Sequence, residues 1–113
     1  MYSEQDIVRT YSYHELEKGR LYLNQGRVLS AALSADGGHA SGQVQGSERK
    51  PYSVNVGINY RRVAGRVTAQ FAGRCSCYLG GYCKHAVAVL LHVLRAGPAS
   101  TTKALYRARF PGH

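Results

Sequence analysis

Three cysteines and a histidine fall within eleven residues, Cys75-Ser-Cys77-Tyr-Leu-Gly-Gly-Tyr-Cys83-Lys-His85, and the chain has no other cysteine. As spacing this reads C-x-C-x5-C-x-H. Three thiolates and one imidazole form a closed tetrahedral donor set of the kind that holds a structural zinc ion. Gly80-Gly81, between the two pairs, lets the chain turn back so that the second pair meets the first. The second pair then opens an apolar run from Ala86 to Leu94, which places the knuckle at the start of a helix.

Other uses of these residues fit less well. A disulfide leaves one thiol over, because three is odd. A nucleophilic or redox use of Cys75 and Cys77 needs an activating base, and although His85 is near, nothing completes a triad. His92 lies seven residues beyond His85, about 10.5 Å along a helix axis, too far to share the same ion. It reads as a surface or capping residue.

Followed at once by an apolar helix, the cysteine–histidine pattern resembles the SWIM zinc finger, a family named for Swi/Snf-type helicase-like ATPases and Mutator-type transposases. The upstream residues Gly26-Arg27-Val28, Val44-Gln-Gly46-Ser47 and Tyr52-Ser-Val54-Asn-Val56 are similar to the strands that precede the finger in bacterial SWIM proteins. The resemblance runs from about residue 12 to residue 96. It implies a binding module for DNA or protein, attached to or partnered with a larger machine such as a helicase-like ATPase or a recombination protein. It implies no catalysis by the finger.

Charge is the second constraint. Fifteen Lys and Arg stand against six Asp and Glu, a net +9. Three thiolates and a Zn2+ would bring this to about +8. Glu4, Asp6, Glu15 and Glu17 are four of the six acids, so from Lys18 onward fourteen basic residues face only Asp36 and Glu48, a balance of 14 − 2 = +12. Such a surplus suits phosphate backbones or acidic proteins. Nucleic acid is the expected partner, DNA before RNA, with no membrane and no small-molecule substrate. The rival is a protein-docking module that never contacts DNA. The longest apolar run is too short to span a bilayer. The first residues are acidic and unlike a signal peptide, and clustered free thiols suit a reducing compartment. These features predict an intracellular, cytoplasmic protein, or a nuclear one if its source is eukaryotic.

The periodicity predicts an α+β fold, with an N-terminal helix, a four-stranded antiparallel sheet and the zinc knuckle leading into a C-terminal helix. Residues 3–18 read as helical, with Ser3/Asp6 and Ser12/Glu15 as cap pairs, Gly19 as a stop or kink, and Ile7, Val8, Tyr11 and Leu16 facing inward. Strands are expected over Arg27–Ala35, Ala40–Ser47, Tyr52–Tyr60 and Arg66–Ala72, the first two joined by Asp36-Gly37-Gly38. Tyr52, Val54, Val56, Ile58 and Tyr60 should share one face, as should Val67, Ala69 and Phe71. Gly42 and Gly46 weaken the second strand. The final helix should run from Lys84 to about Ala96 and end at Gly97-Pro98. Residues 1–98 then form one domain with the finger at 74–96, and residues 99–113 a basic tail or linker.

In a meander, alternate loops share one end of the sheet. Arg27, Arg49, Lys50, Arg74 and Lys84 should therefore gather near the zinc as the nucleic-acid face. Arg61, Arg62 and Arg66 should form a second cluster at the far end. Tyr78 and Tyr82, in the finger loop, either stack on bases or cover the metal core.

Overall fold

The computed structural model describes residues 1–77, 80 and 82–96. The expectations for Tyr78 and for the 99–113 tail lie outside the described residues.

The N-terminal stretch is two helices, not one: α1 (Glu4–Thr10) and α2 (Tyr13–Asn24). Both cap pairs form. Ser3 and Asp6 make a reciprocal capping box, and the Ser12 hydroxyl accepts from the Glu15 amide. The second cap is what divides the helices, because Tyr11 and Ser12 are extended. Ile7, Tyr11 and Leu16 are buried as expected, but Val8 is exposed.

Gly19 does not stop the helix. It is buried in the middle of α2, where an added Cβ would lie 2.4 Å from Val87 Cγ1. Intrinsic propensity disfavours glycine there by about 1 kcal/mol relative to alanine. The contact with α3 (Lys84–Ala96) requires it nonetheless. Gly19→Ala is therefore expected to destabilise by roughly 1–2 kcal/mol, overpacking outweighing the propensity gain. In a Val87→Ala background the same change should cost less but still destabilise, because Cβ of residue 87 at 2.6 Å and the Lys84 carbonyl at 3.1 Å remain. Urea unfolding of the two single variants and the double variant measures this coupling, and a stabilising Gly19→Ala in the parent would refute it.

Four strands, β1 (Val28–Leu33), β2 (His39–Val44), β3 (Tyr52–Val63) and β4 (Arg66–Cys75), form one antiparallel sheet in the order β1-β2-β3-β4. The meander is as expected, with shorter first and second strands and longer third and fourth ones. Asp36 closes the first hairpin by accepting from the Ser34 hydroxyl and the Gly38 amide. Along β3 the alternation holds: Val54, Val56 and Ile58 are buried, while Ser53, Asn55 and Asn59 are exposed. On β4, Ala69 and Phe71 are buried, but Val67 is 58 % exposed, in the part of the β3–β4 ladder that lies beyond the pairing with β2.

Helix α3 packs on all four strands and, on its other side, against α2. That explains its burial from Ala86 to Leu91, with Val93. Each fully buried Val or Leu contributes about 1.5–3 kcal/mol. The N-terminus is tied in by Tyr2, whose hydroxyl donates to the Leu90 carbonyl at 2.6 Å and whose ring meets Phe71 edge-on at 5.4 Å. Burial pushes the Tyr2 phenol far up, so it stays a donor. Among the described residues no helix is long and apolar enough to cross a membrane.

Candidate metal centre

Each ligand is delivered by a different local device. Cys75 is the last residue of β4, in register with Val54 of β3. The ladder then continues through the next residue: the Ser76 amide donates to the Ser53 carbonyl at 3.1 Å, and the Ser53 amide donates to Ser76 Oγ at 3.0 Å. The chain on either side of Ser76, where Cys75 and Cys77 sit, is thereby held to the sheet. The Gly80 amide returns to the Cys77 carbonyl at 3.1 Å, and Gly80 takes the left-handed φ of 74° that the turn needs. Cys83 then starts α3, its carbonyl accepting from the Val87 amide. His85 follows in the first turn.

The four ligand atoms lie within 4.8 Å of one another, and Cys75 Sγ is 3.7 Å from His85 Nδ1. A zinc tetrahedron with Zn–S of about 2.3 Å and Zn–N of about 2.0–2.1 Å has edges of roughly 3.5–3.8 Å. The donor types and the spacing both fit Zn2+, with Nδ1 as the imidazole ligand. His92 is half-buried further along α3 and is not in the cluster.

The electrostatics favour a thiolate at Cys83. The Cys83 thiol is pushed down to about 3, chiefly by the hydrogen bond from Cys75, with His85, the Ala86 amide and Cys77 adding to it against the cost of burial. The amide contribution is that of a helix N-terminus, where unpaired N–H groups and the helix dipole stabilise negative charge. Cys75, the donor in that hydrogen bond, is pushed up by it and by burial. A dication among the four would hold all three sulfurs as thiolates.

Ligating histidines usually donate their outer N–H to a carboxylate or carbonyl. His85 differs. Its Nε2 is buried with no hydrogen-bond partner among the described residues. Its ring is instead held by aromatic neighbours, Tyr52 at 4.3 Å between centroids and Tyr22 at 5.6 Å. Gly46 makes room: a Cβ there would lie 2.5 Å from the Tyr52 ring and 3.5 Å from His85 Nε2. The glycine that weakened the second strand on propensity grounds is thus a spacing element for the metal site, just beyond the end of β2. Tyr52 was legible as an inward residue. Tyr22 was not, because a helix ended at Gly19 stops short of it.

The five basic residues expected around the metal divide among three surfaces. Arg27 and Lys84 converge on Tyr22, the guanidinium 4.9 Å and the ammonium 5.7 Å from its centroid. Arg27 also donates to Gln25 Oε1 and the Gln45 carbonyl. Arg49 and Lys50 are exposed in the loop between β2 and β3. Arg74 pairs with Asn55 on the open face of the sheet, away from α3, where it borders a groove with His39 and Gly57. Alternation along β4 decides this: Cys75 turns toward the core, so Arg74 turns outward. Tyr82 is half-exposed, donates to the Phe71 carbonyl at 3.4 Å and packs near Tyr11.

Residues 52–94 match the family model of the SWIM zinc finger. The match takes in β3, β4, all four ligands and nearly all of α3, while α1, α2, β1 and β2 lie outside it. Neither the curated proteins nor the solved structures gave a match to the chain.

Proposed function

We propose that this zinc-binding module binds nucleic acid, DNA in preference to RNA, and works beside a helicase-like ATPase or a recombination protein. The observation that carries the reading is the segregation of charge. Four of the six carboxylates are on α1 and α2, Asp36 is in the first hairpin turn, and Glu48 is in the loop before β3. No carboxylate lies on any of the four strands, and none follows Glu48 in the sequence. A polyanion can approach the strands and the finger meeting fixed carboxylates only in two connecting loops, at Asp36 and Glu48. The ATPase or recombination partner rests on the family resemblance alone.

Zinc is structural in this reading. Four protein donors complete a tetrahedron, so no coordination position is left for water or substrate, and we assign the finger no catalysis. Clustered thiols suit a reducing intracellular compartment. The alternative, a protein-docking module, has the exposed side chains Val8, Tyr13 and Leu21 of the two N-terminal helices in its favour.

Of the five cations expected at the zinc end, Arg27, Arg49, Lys50, Arg74 and Lys84, the exposed loop pair Arg49 and Lys50 is the first contact to test. Arg49→Glu with Lys50→Glu should leave zinc content and folding intact, since both side chains are solvent-exposed. It should weaken DNA binding similarly across sequences and flatten the plot of log affinity against log salt by about two units. Fluorescence anisotropy at 50 and 200 mM salt reads this. A parent protein with no salt-dependent binding would replace the nucleic-acid reading with the docking one.

A further inference from the structure

Strands β3 and β4 outrun the sheet. β2 pairs with β3 only from Tyr52 to Gly57, whereas β3 and β4 remain paired as far as Val63 and Arg66. The expected loop over residues 61–65 is therefore strand and a two-residue turn. Ala64 and Gly65 both have positive φ, 51° and 79°, as a tight type I′ hairpin requires. The result is a two-stranded arm rooted in the sheet, with every residue from Arg61 to Val67 exposed.

The arm carries Arg61, Arg62 and Arg66 within six residues. Among the described residues none of the three has an ion-pair partner. Three like charges on one hairpin repel, and no ion pair among the described residues offsets them. Strand alternation sends Arg61 and Arg66 to the open face of the sheet, with Arg62 to the opposite face. The two exposed valines divide the same way: Val63 lies beside Arg61 and Arg66, and Val67 beside Arg62.

The geometry points to a groove of duplex nucleic acid. Two strands about 4.8 Å apart, with their side chains, match a DNA major groove about 12 Å wide, which admits a two-stranded ribbon. Cations on both faces of the ribbon can reach the phosphates of both groove walls. No aromatic residue lies between Arg61 and Thr68, so the arm has no platform for stacking the bases of a single strand. The A-form major groove of duplex RNA is too narrow to enter.

We propose that the β3–β4 arm inserts into the major groove of duplex DNA, with Arg61 and Arg66 on one wall and Arg62 on the other. This rests on the nucleic-acid reading above and adds a contact that the zinc-end loop pair does not supply. In the full chain, Arg61→Gln, Arg62→Gln and Arg66→Gln together should lower affinity for a 20-base-pair DNA roughly tenfold or more at 50 mM salt. The salt slope should fall by about 2.7, three lost contacts at 0.9 each. Zinc content and thermal midpoint should not change. The triple lysine variant should keep most of the binding, and Val63→Glu alone should weaken it. Parent protein should protect guanine N7, a major-groove atom, from methylation by dimethyl sulfate, and the glutamine variant should not. If the glutamine variant binds as the parent does, the arm is not a contact while the nucleic-acid reading stands. Equal or tighter parental binding to single-stranded DNA or duplex RNA overturns the groove assignment. A parent with no salt-dependent binding to any nucleic acid overturns both.

Discussion

Cys83→Ala should abolish zinc binding and unfold the domain around α3. Cys83 is fully buried, starts α3, and carries the most strongly stabilised thiolate of the cluster. A structural zinc contributes apparent folding energy of about 10–16 kcal/mol in small fingers. A domain of this size has a total stability of about 5–15 kcal/mol. The metal term is as large as the whole margin, so the apolar burial of α3 is not expected to hold the fold once a ligand is gone. Cys83→Ala should contain less than half an equivalent of zinc and lose its cooperative thermal transition. Chelation of the parent should do the same. Thiol reagents should react slowly with the native parent and fast after chelation, which also excludes a free redox pair at Cys75 and Cys77. Full zinc content and an unchanged melt in Cys83→Ala would sink the structural assignment.

Asp6→Ala should have the second largest effect on stability, about 3 kcal/mol. Its carboxylate is buried at the start of α1. It accepts from the Ser3 amide at 2.9 Å and the Ser3 hydroxyl at 3.1 Å, and it pairs with the Arg9 guanidinium. The backbone of Ala69 on β4 also favours its charged form. Hydrogen bonds to a buried charge are worth about 1.5–3 kcal/mol each, and removing the acceptor strands the donors. Burial alone would raise the Asp6 pKa, but the Ser3 and Ala69 backbone, the Ser3 hydroxyl and Arg9 together hold it below its usual 3.8. A carboxyl depressed on folding adds stability that is fully present above 3.8 and is lost as pH falls through the lower folded value. The stability difference between the parent and Asp6→Asn should therefore be largest above pH 4 and shrink below it. Acid also releases zinc, so the two proteins are compared at matched metal content by urea unfolding. A difference that stays constant with pH would show that Asp6 is not ionised in the fold.

The metal site was legible because its geometry is local. Four ligands within eleven residues need only a strand end, a turn and a helix start, and the order of residue types encodes all three. The β3 alternation was legible for the same reason: a period of two is a property of neighbouring residues. Ser3 and Ser12 announced their helix starts correctly, yet the gap between the helices was read through, because Tyr11 and Ser12 carry no breaker.

What eluded the sequence depended on surfaces distant along the chain. Gly19 reads as a helix stop by propensity, a preference of about 1 kcal/mol that the contact with Val87, sixty-eight residues away, overrides. Tyr22 beside His85 and the Tyr2 hydroxyl on the Leu90 carbonyl are likewise contacts between remote segments. The division of the zinc-end cations was decided by which face of β4 each residue takes, and the arm by where β2 stops pairing. The sequence by itself determined the ligands, the strand faces and the charge surplus, since each is set by residue type and short-range spacing. Only the tertiary structure decided where α2 ends, what holds the histidine ring, and which arginines are left without counter-charge. Those outcomes are set by packing between elements, which has no period along the chain.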